Sequence, residues 1–224
     1  MPNIWSRNVQ TPRTDFEIPP QGMRPAILVG MIDLGTHAEE FDDKKTGKSK
    51  MKDMRKVFFV WELTANRMTG SKFNHVIGQK YSMSSYNTSK IMKLFASYLG
   101  KPVKDGDNLN FGDLLGKPFL VNIKHTTVDD RTFANFDSAA PPPENYPVPP
   151  PLYTPIIWDI DSTDPLPTWL PFDYGKSIAS VIADSHERRG RLKQVDGKRL
   201  DGSDVEDDQS SSSFTETDDA EIPF

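Results

Sequence analysis

Between Lys56 and Tyr81 the chain interleaves cations with aromatic rings: Lys56, Phe58, Trp61, Lys80 and Tyr81. Such residues together suit a polyanion whose units carry flat faces, namely a single nucleic-acid strand. Cations follow the phosphates and rings stack on bases, each stack contributing ~1–3 kcal/mol. Upstream, six Lys/Arg fall between Lys44 and Arg55, among them Lys48, Lys50 and Lys52, beside the acids Glu39, Glu40, Asp42 and Asp43. This stretch reads either as a phosphate-contacting flap or as an ordinary surface loop. Lys124 and Arg131 supply further cations downstream. For Trp61 and Tyr81, packing in a core is the competing reading, because a one-residue bulge exchanges the two faces of a strand.

Catalytic patterns are missing from the same chain. His37, His75, His125 and His186 lie far apart, without metal-ligand spacing, and there is no cysteine. Disulfides and thiolate chemistry are therefore excluded. No phosphate-cradling glycine loop, nucleophile elbow or His-Glu-x-x-His occurs. The expectation is a binding protein without catalytic residues, metal or cofactor. A metal-dependent DNA-processing enzyme is the alternative, because carboxylate ligands need not be adjacent in sequence. An adaptor binding RNA or protein is the other.

The charge is divided unevenly along the chain. From Gln194 onward there are ten Asp/Glu against two Lys/Arg, a local charge of −8. The whole chain carries −5, which leaves +3 on residues 1–193. Few apolar residues, no periodicity and the run Ser210-Ser211-Ser212-Ser213 make 191–224 read as a disordered acidic tail. It closes on Asp218-Asp219-Ala220-Glu221-Ile222-Pro223-Phe224, an apolar tip that solubility does not require. Pro223 fixes its own φ and biases Ile222 toward extended backbone. The tip is thereby suited to a partner's apolar slot with a basic rim.

The elements that must position these groups follow from periodicity. Residues 1–20, with Trp5 and Phe16, read as an arm lying on the body. Gly22–Gly35 reads as a long, mostly buried strand, bulged or bent at Gly30. Thr36–Arg55 reads as a polar loop. Lys56–Leu63 is a second strand, with Val57, Phe59, Trp61 and Leu63 opposite Lys56, Phe58, Val60 and Glu62. Phe73–Ser82 is a third, forming a hairpin with the second. Thr88–Leu99 is a helix capped by Asn87 or Thr88 and ended by Gly100, with a short helical turn at Phe111–Leu115. Lys117–Thr127 and Thr132–Phe136 are the fourth and fifth strands, around the turn Val128–Arg131. The nineteen prolines concentrate between Pro141 and Pro171. That extended segment carries Trp158, Trp169 and Phe172, too apolar for a free linker, so it should wrap back and bury them. Tyr174–Arg189 reads as a final helix.

The order β, β, β, helix, β, β is that of an OB-fold, a mainly β five-stranded barrel with its helix between strands 3 and 4. A differently wound α+β sheet is the alternative. The boundaries are an arm at 1–20, the barrel at 21–138, the Pro/Trp-rich segment and C-terminal helix at 139–190, and the tail at 191–224. No stretch approaches the ~20 apolar residues of a membrane span, and the chain reads as soluble and cytoplasmic.

The Ile222-Pro223-Phe224 tip behind Asp218, Asp219 and Glu221 resembles the terminus of bacterial and phage single-stranded DNA-binding proteins. Gly22-Met23-Arg24-Pro25 through Leu34-Gly35, with Trp61-Glu62-Leu63, resembles phage-encoded OB-fold single-strand binders over roughly residues 20–190. The resemblance implies sequence-independent coating of single-stranded DNA. It also implies recruitment of replication, recombination or repair proteins through the tip. Self-association on DNA is compatible with it, and nothing forecasts a tetramer.

Overall fold

The computed structural model describes residues 17–42, 49–84, 86, 88–104 and 107–189. The chain divides into two units, Met1–Arg189 and Gly190–Phe224, and every described residue belongs to the first. The acidic tail, its Asp218, Asp219, Glu221, Ile222, Pro223 and Phe224, most of the N-terminal arm, and Lys48 lie outside the described residues.

Two long strands form the centre. β1 spans Gly22–Asp42 and β2 spans Ser49–Arg67, paired antiparallel. The register slips between Leu28 and Gly30 and again between Asp33 and Gly35, so the bulge expected at Gly30 is present with a second one beyond it. The polar loop expected over 36–55 is instead a two-stranded ribbon: Thr36 to Asp42 pairs with Ser49 to Arg55. Backbone ladders need no apolar side chains, and opposite charges across this one support it. Glu39, in register with Lys52, pairs with Lys56, and the Ser49 hydroxyl donates to Glu40 Oε1 at 2.5 Å.

β3 (Asn74–Ser82) pairs with β2 as a hairpin. Helix α1 (Lys90–Leu99) follows, where Ser89 rather than Asn87 or Thr88 accepts from the Met92 amide, and Gly100 ends it in the left-handed region. A 3-10 turn at Phe111–Leu114 leads into β4 (Pro118–Val128), which pairs with β5 (Arg131–Ala140). Asp129 and Asp130, at φ 48° and 63°, make the two-residue turn between them. The fifth strand outruns its expected end at Phe136, pairing on through a bulge between Phe136 and Ser138 to Ala140. The sheet is open, ordered β3-β2-β1-β4-β5, and the short β6 (Ile156–Trp158) adds parallel to β1 at Gly30–Ile32.

The central stretches of β1 (26–34) and β2 (58–63) are buried on both faces, which is why they read as near-continuous apolar runs. On one face Leu28, Met31, Phe59, Trp61 and Leu63 pack with Ile91 and Phe95 of α1 and Phe119, Val121 and Ile123 of β4. On the other, Ile27, Val29, Ile32, Phe58 and Val60 pack under Tyr153, Trp158 and Ile160 and under Ile178, Val181 and Ile182. Those covering residues come from the Pro-rich segment and from α2 (Ile178–Ala183). Fully burying one large apolar side chain contributes roughly 1.5–3 kcal/mol. This second core therefore holds the Pro-rich segment down as a strap.

The strap is also pinned by a charge. Glu62 is fully buried, and its carboxylate accepts from the Leu152 amide at 2.8 Å, the Tyr153 amide at 3.0 Å and Asn74 Nδ2 at 2.6 Å. Trp158 is buried and Trp169 packs against the second core, as expected. Phe172 is not: it is 56% exposed, and the buried neighbour is Asp173, tied to Lys80 at 2.6 Å. The final helix is shorter than its expected span from Tyr174 to Arg189. Tyr174 and Gly175 form a tight turn, Ser177 caps α2, and Asp184 ends it.

Candidate nucleic-acid interface

The rings that stood out in sequence are core residues. Trp61 is fully buried, with Phe136 stacked on it at 4.6 Å and 21° and Phe119 edge-on at 6.2 Å. Tyr81 lies against Phe59 at 5.3 Å, and burial pushes its hydroxyl pKa well up. Phe58 is buried in the second core, its ring lying over Gly78. None of the three offers a face to a base. Trp61 and Tyr81 lie on the face covered by α1 and β4, and Phe58 on the opposite face, which the strap and α2 cover, so both faces of β2 are interior here.

Lys56 shares their fate. It is 3% exposed, paired with Glu39, and its Nζ donates to the Ser82 hydroxyl at 2.6 Å. A buried ammonium needs such partners, and here they consume the charge that was expected to meet phosphate. Lys80 keeps a third of its side chain in solvent while its Nζ meets Asp173. Lys50 and Lys52 are exposed on the β1–β2 ribbon.

Lys124 and Arg131 do come together, around a ring that sequence reasoning passed over. On β4 and β5, Phe119, Val121 and Ile123 point inward, and Phe136 faces Ile123 in register. Alternation then turns Lys124, Thr126 and Val128 outward, opposite Asn135, Phe133 and Arg131. Phe133 is 48% exposed on this face. Thr126 lies directly opposite it, Arg131 and Asn135 are its same-strand neighbours, and Lys124 and Val128 are diagonal to it. Asn135 Nδ2 donates to Thr126 Oγ1 at 3.2 Å, which fixes the polar floor beside the ring. Lys124 Nζ meets Asp137 Oδ1 at 2.6 Å, and Asn122 Nδ2 donates to Asp137 Oδ2 at 2.9 Å. Lys124, then Asn122, hold the Asp137 carboxyl below its ordinary pKa.

A signal for Phe133 was present in sequence. Phe133 and Phe136 sit three apart on one strand, so they occupy opposite faces, and a strand covered on one face exposes one of them.

The expected cations that stay exposed lie in two separate places, each with acids among them: Lys124 and Arg131 beside Asp129, Asp130 and Asp137, and Lys50 and Lys52 beside Glu39, Glu40 and Asp53. The β4–β5 turn lies beyond the Gly22 end of β1, where Gly22 pairs Ile123. The ribbon lies beyond its other end, where Asp42 pairs Ser49. Residues 17–20 cross near the first end. Glu17 accepts from the Thr69 amide at 2.7 Å, and His125 Nε2 lies 2.8 Å from the Pro19 carbonyl oxygen. Among the described residues no cluster of three His, Asp or Glu could hold a metal ion, and no helix is long and apolar enough to cross a membrane. The chain matches no protein-family model and no curated protein.

Proposed function

We propose that this protein binds and coats single-stranded DNA without sequence specificity and recruits partner proteins through its Asp218–Phe224 terminus. The observation carrying the reading is the exposed face of β4 and β5, where the half-exposed Phe133 stands between Lys124 and Arg131. A ring for base stacking and cations for phosphates meet there, the combination that sequence-tolerant binding of single strands uses.

The topology supports the same reading. The order β3-β2-β1-β4-β5, with α1 between β3 and β4, is the OB-fold order opened between β3 and β5. OB-folds engage oligonucleotides with their β1–β2 and β4–β5 loops, and exposed cations stand near both here: Lys50 and Lys52 on the ribbon, Lys124 and Arg131 on β4 and β5. The charge of +3 before Gln194 and −8 after it accords with a basic body and an acidic recruiting tail.

Titration of labelled oligo-dT by anisotropy across a salt series, with duplex DNA and RNA as competitors, tests the reading. Tight, salt-dependent binding that duplex and RNA do not displace is the expected result. Equal affinity for duplex, or none for dT at low salt, refutes it. Deleting 194–224 should abolish capture of replication or repair proteins; equal capture by full-length and truncated chains refutes the recruiting role.

A further inference from the structure

A second exposed ring is held by a strained turn. Asp173 and Lys176 exchange both backbone hydrogen bonds at 2.9 Å, enclosing Tyr174 and Gly175 at φ 46° and 82°. Glycine, asparagine or aspartate ordinarily fills the first central position of such a turn, because left-handed backbone crowds a Cβ. A tyrosine there is unfavourable, and burial does not compensate, since Tyr174 is 85% exposed. Backbone strain that packing does not explain points to a use for the side chain.

The turn's surroundings say what that use is. Asp173, only 5% exposed, is anchored by Lys80, so the turn is fixed to β3. Beside it opens a cavity of about 230 Å³ lined by His37, Lys80, Asp173, Tyr174, Lys176, Val181 and Asp184. Both of its acids have partners: Asp173 has Lys80, and Asp184 is held by Arg189 at 3.0 Å. Lys176 reaches Asp184 only at 4.0 Å and keeps 67% of its side chain in solvent. Lys80 faces Phe58 in register, so the cavity opens on the outer face of β2 and β3. The strap covers the Val60 end of that face through Trp169, near Gly30 and Val60, and leaves this corner open.

We propose that the Asp173–Lys176 turn is a stacking platform for single-stranded DNA: the Tyr174 ring takes one base and Lys176 the neighbouring phosphate. This rests on the reading of the protein as a single-strand binder. A ring standing in solvent beside a mostly exposed ammonium, held only loosely by Asp184, matches the base-and-phosphate pair that a single strand repeats.

Tyr174→Gly is the informative variant, because glycine accepts the φ of 46° while removing the ring. In the full chain, Tyr174→Gly should weaken oligo-dT binding about tenfold with an unchanged or higher Tm. Tyr174→Phe, which keeps the ring face, should bind within about twofold of the parent. Lys176→Gln should lower the slope of log affinity against log salt by about 0.7, one single-strand phosphate contact. Wild-type affinity in Tyr174→Gly overturns the platform while leaving the general reading intact. A loss accompanied by a lower Tm and shared by Tyr174→Phe also overturns it, since the tyrosine would then be structural. Absence of dT binding in the parent overturns both readings together.

Discussion

The carboxylate of Glu62 accepts the backbone amide of Leu152, ninety residues further along the chain, through both oxygens at 2.8 and 3.0 Å. With the Tyr153 amide and Asn74 added, every donor around this buried acid is satisfied. The Pro-rich strap is extended chain with few amides to pair internally, and Glu62 gives two of them a partner. Replacing Glu62 by alanine leaves two backbone donors and the Asn74 amide group with no acceptor. Each such buried group costs ~1–3 kcal/mol, so a loss of at least ~2 kcal/mol is expected in urea unfolding. Hydrogen exchange at Leu152 and Tyr153 should accelerate more than at β4. Uniform acceleration would show that the strap is not separately held.

Glu187 makes stability depend on acid. Burial raises its pKa, but the Thr36 amide at 2.8 Å, the Thr36 hydroxyl at 2.7 Å and the Arg55 charge outweigh that and bring it to about 2 from 4.5. Because the folded value is the lower one, this stability is complete above about pH 4.5 and is lost as the pH falls toward about 2. Acid titration of Tm should be less steep in that window for Glu187→Gln than for the parent. Parallel curves would remove Glu187 from the account.

Gly78 has no room for a methyl group. A Cβ there would fall within the Phe58 ring, which is itself packed in the second core. Gly78→Ala should destabilise by ~1–3 kcal/mol through overpacking, read by chemical denaturation. Pairing it with Phe58→Leu should recover part of the loss, and strictly additive losses would show that the ring is not the obstacle.

Trp61 and Phe133 should separate stability from binding. Trp61→Phe is expected to cost ~1–3 kcal/mol in unfolding and leave oligo-dT affinity within about twofold. Phe133→Ala should scarcely change Tm while weakening dT binding by ~1–3 kcal/mol. For the same reason tryptophan fluorescence should change little when DNA is added to a chain whose Trp5 and half-buried Trp169 are both replaced by phenylalanine, because the remaining Trp61 and Trp158 are buried. Strong quenching in that variant would place a buried ring in contact with DNA after all.

Much of the architecture was legible along the chain. β1 to β5, α1 and the hairpin of β2 with β3 follow from hydrophobic periodicity and from caps such as Gly100, which are local properties of consecutive residues. The ribbon over Thr36–Arg55 was not legible, because its ladder is made by backbone groups and by cross-strand pairs such as Glu39 with Lys52, which no single-strand pattern displays. The binding residues divide the same way. Composition alone established a mildly basic body before a strongly acidic tail, the absence of cysteine chemistry, and a supply of cations and rings. Which rings meet solvent was decided by tertiary structure. Phe58 looked like part of the polar side of a half-buried strand until the strap, anchored on Glu62 from ninety residues away, closed over that face, while Lys56 was taken up by Glu39 of β1 and Ser82 of β3. Burial is a property of what a surface meets, and for β2 that partner lies too far along the chain for any local pattern to announce it.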